Sequence, residues 1–474
     1  MILASFLAFL AIILFVGLYS KRFSKQTTDD YLIASGNIPV WQTVLSALAS
    51  AYSGFMYIGL IGYTYTQGVS GIWLMVFWIF GEFCVFIYLP KKVSQVSQRR
   101  NLNSYNALLA NYWGQNHTLV KKSAAIITLI FLSIYAAAQF NAAGKALQST
   151  LLWSPIIGSV FTYFVVLAYS YVGGIRASIW TDNIQFVIMV VSIAILVWLS
   201  LDAIGGWSMF VDKLHNNPVA YTQWFPESMG SLFFIILFLL GWVGGGFGIA
   251  GQPHIVVRFM AMKKTRKYKQ ILFGYYALAV IFTGLCLLSA LLAKVYFAGT
   301  LAADFDTETT LPTLATAVLP AMLVGLMLSA ILSAIISTAD SQILSCSAAL
   351  GTDLLKPKAT DKESLRQNKF STALVATFAL LIALYGGESV FTLVILAWSG
   401  LASAFMPLLV IQLMGHKPSQ TLSITIMLSG LLAAIIWRMT GLNSLTYEAI
   451  IGIAVGFIVF YVVKILSPAD KAKE

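Results

Sequence analysis

Apolar runs of about 20 residues or more recur from one end of this sequence to the other, and that recurrence constrains the fold more than any other feature. A bilayer core offers no water to backbone N–H and C=O groups, so a spanning segment must satisfy them internally or close into a barrel. Runs of this length are too long for tilted strands and suit helices. The chain is 59% hydrophobic and 10% charged, against the usual 45–50% and about 25% for soluble domains. An all-α integral membrane protein is therefore expected. The spans fall near 2–20, 38–64, 69–92, 123–149, 153–172, 180–202, 230–257, 271–298, 318–350, 370–386, 390–414, 421–438 and 447–466, which makes about thirteen. They fill one polytopic transporter domain over 1–474: an extra helix and loop in 1–30, a core in 31–414, and two further helices with a short tail in 415–474.

The net charge of +11 suggests nucleic acid only if its placement is ignored. With the N-terminus outside, every Lys and Arg except Lys145, Lys213, Lys294 and Arg438 falls in a cytoplasmic loop or tail, including Arg266, Lys356, Lys471 and Lys473. The acidic group Asp304, Asp306 and Glu308 falls outside. Basic loops suit an anionic inner leaflet, and this arrangement predicts a multi-pass protein of a bacterial-type plasma membrane with its C-terminus in the cytoplasm. Cys84, Cys286 and Cys346 lie in apolar runs without metal-ligand spacing and read as core residues. The first span lacks a basic segment before it and a small-residue cleavage site after it, so it is expected to be retained.

Two spans look interrupted. In the second, Ser46, Ala47, Ala49, Ser50, Ala51, Ser53 and Gly54 crowd together, and Ser53-Gly54 is the expected point of unwinding. In the seventh, glycines 241, 244, 245, 246, 248 and 251 precede Pro253. Glycine costs a helix roughly 1 kcal/mol each relative to alanine, so the run predicts a break within it. Breaks five spans apart point to an inverted repeat of spans 2–6 and 7–11 with a solute held between the halves.

The ninth span, SAILSAIISTADSQILSCSAAL from Ser329 to Leu350, carries Ser333, Ser337, Thr338, Asp340 and Ser341 in apolar surroundings. At helical spacing Ala334, Ser337, Thr338 and Ser341 share a face, beside a strip of Ser333, Ser337 and Asp340. Any one hydroxyl here would ordinarily bond back to its own helix. Five polar residues in nine positions instead suggest a small cation, held with carbonyls near Ala49 and Tyr52 in the unwound second span. Asp182, in the sixth span, is expected either to share a depth with Asp340, forming a second cation or proton site, or to cap a helix start. Glu82 either faces a solute cavity or holds two helices together. Tyr135 is a candidate cavity residue, His254 reads as structural, and Trp73, Trp78 and Trp153 read as interfacial anchors.

The segments SAIISTADSQILSCSAALGTDLL, GQPHIVVRFMA, YVGGIRASIWTDNIQ and ALASAYSGFMYIG resemble the sodium:solute symporters, and most closely those of the sodium/proline type. The resemblance spans essentially the whole chain and implies a leucine-transporter-like inverted repeat working by alternating access. It implies a sodium site at Ala49, Tyr52, Ala334, Ser337 and Thr338, and, in members with a second ion, a site at Asp182, Asp340 and Ser341. Ser50, Ser53, Gly54, Glu82, Tyr135, Trp242, Gly245 and Gln252 are the candidate solute-binding residues. Proline-type members carry an aspartate where this chain has Ala51 and aromatic residues where it has Gly245 and Ile249, which weakens proline as the solute.

The expected function is import of a small polar organic solute, an amino acid or a carboxylate, with sodium as the coupling ion. Proton coupling through Asp182 and Asp340 and a membrane solute sensor are the alternatives. No nucleophile, histidine and acid converge as an enzyme would need, and neither nucleic acid nor an obligatory protein partner is implied.

Overall fold

The computed structural model describes residues 1–225, 229–265, 267–302, 304–355, 358–387 and 389–466. Arg266, Lys356, Lys471 and Lys473, assigned above to cytoplasmic segments, lie outside the described residues. Eleven helical stretches are long and apolar enough to cross a bilayer among the described residues. Two of them hold two expected spans each. Gly54–Phe86 contains the end of the second span and the third, joined through the short 3-10 turn Gly68–Gly71. Pro155–Ile204 contains the fifth and sixth.

Pro155–Ile204 is 50 residues long. As a straight helix it would measure about 75 Å, more than twice a bilayer core. It turns at Gly174, whose φ of 55° and ψ of −147° only glycine adopts easily. A Cβ there would lie 2.4 Å from the carbonyl oxygen of Tyr31. The loop expected between 172 and 180 is thus a one-residue kink pressed against the segment leading to the second span.

Both expected breaks are present. The second span runs as Val40–Ala51, stops at Tyr52 (φ −93°, ψ 77°) and resumes at Gly54–Tyr57. The seventh runs as Leu232–Phe247, a 3-10 turn Gly248–Gly251, an extended Gln252 and Pro253–Met260. The break therefore falls at the end of the glycine run, on Gly248 to Gly251, while Gly241 to Gly246 are helical. Packing outweighs propensity at these positions. A Cβ on Gly246 would sit 1.9 Å from the Trp78 carbonyl oxygen, and one on Gly81 of the third span 2.2 Å from that of Val243. The third and seventh spans thus meet backbone to backbone.

The ninth span, Ala321–Ala348, is the axis of the molecule: every side chain from Met327 to Leu344 is buried. The first span, Ile2–Tyr19, packs on its outer side, with a Gly325 Cβ having room only inside Ser5. The two breaks are joined at their far ends, where Ile38 and Met262 form a parallel bridge: Ile38 N–H donates to Ala261 O at 3.1 Å and Lys263 N–H to Ile38 O at 2.8 Å. Trp78, expected at an interface, is instead buried, with its ring centroid 5.0 Å from that of Trp398. Apolar rings of this size belong in the interior once a small-residue surface admits them.

Candidate functional site

Where the second span stops, its last carbonyls leave the helical ladder and need partners. The ninth span supplies them. Ser337 Oγ donates to Ala49 O at 2.9 Å, while Thr338 Oγ1 lies 3.4 Å from Ala49 O and 3.2 Å from Ser50 O. Ser337 Oγ is also 3.1 Å from Ala334 O. Ala49, Tyr52, Ala334, Ser337 and Thr338 are all buried. The nonhelical ψ of Tyr52 turns its carbonyl out of the ladder. The result is a set of neutral oxygens, two hydroxyls and the carbonyls of a broken helix, which is the donor chemistry of a weakly held monovalent cation. Among the described residues no group of three or more His, Cys, Asp or Glu is placed to hold a metal ion.

One helical turn further along, the second face of the ninth span meets a group that its sequence surroundings conceal. Arg258, assigned above to a cytoplasmic segment, is fully buried. Its guanidinium lies 3.4 Å from Asp182 and 4.0 Å from Asp340. It donates to Ser50 Oγ at 3.2 Å, to Ser178 Oγ at 2.6 Å and to Ser341 Oγ. Asp182 accepts from Ser46 at 2.6 Å, and Asp340 from Ser178 and Ser341 at 3.0 Å each. Asp182 and Asp340 thus share a depth, but a side-chain cation stands beside both. Asp182 also lies inside its helix, eight residues beyond the kink, so it caps nothing. Asp182 Oδ1 and Asp340 Oδ2 have no hydrogen-bond partner.

The break also opens a small cavity toward the third, fourth and eleventh spans, bounded by Tyr52, Phe55, Trp78, Glu82, Tyr135 and Trp398. Its free space is about that of a single water, so a solute the size of an amino acid needs side chains to move. Glu82 ties two helices together and also lies at the cavity edge. Its Oε1 accepts from Tyr275 of the eighth span at 2.6 Å. Tyr135 OH lies 3.4 Å from Ser53 Oγ.

The other candidate solute residues are placed elsewhere. Ser50 belongs to the Arg258 cluster. Gly54 N–H donates to Gln139 Oε1 at 3.0 Å, and its bare Cα lets Ile335 approach. Gly245 gives its carbonyl to Trp398 Nε1 at 2.8 Å, and Gln252 bonds Gly248 O and Trp398 O. Trp242 borders a separate pocket with Tyr63, Phe391 and Tyr447, stacked on Tyr447 at 5.4 Å. His254 is buried with its ring edge-on to Tyr135 at 5.7 Å. Arg258 could have been recognised from its flanks: IVV precedes it and FMAM separates it from the first lysine of the basic run.

Residues 31–430 match the sodium:solute symporter family. A high-affinity proline transporter of Bacillus subtilis (strain 168) is 27% identical, with 96% of each chain covered. A sodium/proline symporter of Staphylococcus aureus (strain JH9) is also 27% identical, over 96% of this chain and 91% of that protein. Among solved structures, a substrate-bound, outward-open Na+-coupled sialic acid symporter superposes with a TM-score of 0.85 at 18% identity, covering 98% of both chains. MhsT in complex with L-phenylalanine gives 0.57 at 15% identity, over 88% of this chain and 98% of that one. These two structures share the fold, so the broken spans belong to a leucine-transporter-like inverted repeat.

Proposed function

The chain belongs to the sodium:solute symporter family and is a transporter, not an enzyme, and from that premise we propose that it imports a small polar organic solute with sodium by alternating access. An amino acid or a carboxylate is the solute class, with proline one candidate. The observation that carries this reading is the Ser337 hydroxyl on the Ala49 carbonyl, 2.9 Å apart at the point where the second span breaks. A sodium ion seated among Ala49, Tyr52, Ala334, Ser337 and Thr338 would draw on these hydroxyls and carbonyls, and the contacts of Ser337 and Thr338 with Ala49 O support that seat. The ion holds the first half of the second span against the ninth span. That half-helix also borders the solute cavity through Ala51 and Tyr52, so the ion favours the solute-ready arrangement by the difference in its affinity for the two states. Loss of the ion to the cytoplasm frees the halves to rock and releases the solute.

The Arg258 cluster holds two carboxylates and one guanidinium, a net charge of −1 if all are ionised. That balance supports a place for one further cation, a second sodium or a proton, at the unpartnered oxygens of Asp182 and Asp340. We orient the protein with Lys145, Asp306 and Glu308 outside and the basic loops in the cytoplasm of a bacterial cell. Uptake by proteoliposomes carrying imposed sodium or proton gradients tests the reading. Solute accumulation driven by sodium and weakened by Thr338→Ala supports it. Accumulation driven by protons alone, indifferent to that substitution, overturns it.

A further inference from the structure

Glu82 is 1% exposed, and no ion pair of the described residues includes it. Tyr275 satisfies Oε1. Oε2 has no partner. The residue borders the cavity at the break of the second span, whose lining contains no Lys, Arg or His. An acid buried in a bilayer-spanning protein without a basic partner costs several kcal/mol unless something neutralises it. Most of the remaining lining is aromatic. Tyr52, Phe55, Trp78, Tyr135 and Trp398 bound the same space. Trp78 stands one helical turn before Glu82, on the same face of Ile72–Phe86. Trp398 crosses it at 48°, and the Trp398 indole is fixed by its bond to Gly245 O. Gly245 bears no Cβ because one would lie 2.6 Å from the Trp78 ring. Two tryptophans and a glutamate with an unpaired carboxylate oxygen thus border one small space.

Aromatic faces attract cations through their quadrupole, and the attraction strengthens when water is excluded. We propose that the solute carried by this protein bears a positively charged nitrogen, a protonated amine or a quaternary ammonium, which docks between Glu82 Oε2 and the indoles of Trp78 and Trp398. The inference rests on the transport reading above and narrows it. A solute carboxylate is tolerated only on a molecule that also carries the cation, because a simple anion meets the like charge of Glu82 with no basic side chain to offset it. A neutral polyol leaves the carboxylate oxygen unpaired.

The test uses the purified full chain in sodium-containing buffer, read by tryptophan emission and thermal unfolding. Choline, glycine betaine and L-proline supply the cationic nitrogen. 3,3-Dimethylbutan-1-ol, the uncharged isostere of choline, and propionate are the controls. At least one cationic probe is expected to shift both signals saturably, while neither control does so. Glu82→Gln keeps an acceptor for Tyr275 and is expected to weaken the response about tenfold or more. A normal sodium-induced rise in unfolding temperature certifies that variant as folded, and if it is not, Trp398→Phe replaces it with the same expectation of weakening. The proposal is overturned by a control matching the cationic probes, by no response to any of the three, or by Glu82→Gln responding as the unaltered protein does. A cationic response without any sodium effect supports the Glu82 assignment and overturns the sodium-coupling reading instead.

Discussion

The Arg258 guanidinium lies 3.4 Å from the Asp182 carboxylate, and neither side chain has exposed surface. Removing one partner of a buried pair leaves an uncompensated charge and typically costs about 3–5 kcal/mol. Arg258→Met alone should therefore lower the unfolding temperature sharply. Arg258→Met combined with Asp182→Asn should recover part of the loss, which a double-mutant cycle on detergent-solubilised protein measures directly. Equal destabilisation in the double variant and the Arg258 single variant would contradict the pairing.

Thr338→Ala and Ser337→Ala each remove one hydroxyl from the oxygen set around Ala49. Loss of one ligand of about 1–2 kcal/mol raises the sodium concentration for half-maximal uptake by roughly five- to thirtyfold. The expected signature is a change in sodium dependence larger than any change in maximal uptake at saturating sodium. Initial rates over a sodium series check it.

Gly246→Ala places a methyl group 1.9 Å from the Trp78 carbonyl oxygen. Backbone cannot yield as a side-chain tip does, so this variant should fail to yield folded protein. Gly274 lies within the helix Tyr268–Phe297 and has nothing within 4 Å of its Cβ position. Gly274→Ala should be neutral or stabilising by up to about 1 kcal/mol. Monodisperse yield from size exclusion separates the two outcomes.

Asp30, in the short helix Thr28–Ile33 before the second span, is pushed up by burial, but its bonds to Arg176 and the Lys25 N–H outweigh burial and hold its carboxyl below the usual value of 3.8. A depressed folded value means the contribution is present above 3.8 and lost as pH falls through the folded value. Unfolding temperature should therefore drop more steeply below about pH 4 in the unaltered protein than in Asp30→Asn. Parallel melting curves down to about pH 3 test it.

The lengths of the apolar runs make the spans legible, because bilayer thickness dictates them. Ser337, Thr338 and Asp340 are legible as well, since polar atoms in hydrocarbon stand out one residue at a time. Arg258 is missed when charges are counted loop by loop, which merges it with the basic run that follows; only its apolar flanks, IVV before it and FMAM after it, set it apart. The helical glycines of the seventh span are also hidden: propensity is a property of one segment, whereas the close approach that overrides it requires knowing that the third span lies alongside. Trp78 fails for the same reason, as an indole near a span end suits an interface until a glycine-faced neighbour admits it to the core.

The bridge between Ile38 and Met262 makes the start of one broken helix and the end of the other a single mechanical part. Whatever immobilises one break is felt at the other, and such linkage is reciprocal: the factor by which sodium tightens the solute is the factor by which the solute tightens sodium. A carrier joined in this way is guarded against slippage, the futile passage of ions without cargo. Lys263→Pro, which deletes the donor to Ile38 O, should show its defect first as sodium leak in solute-free vesicles, before solute affinity declines.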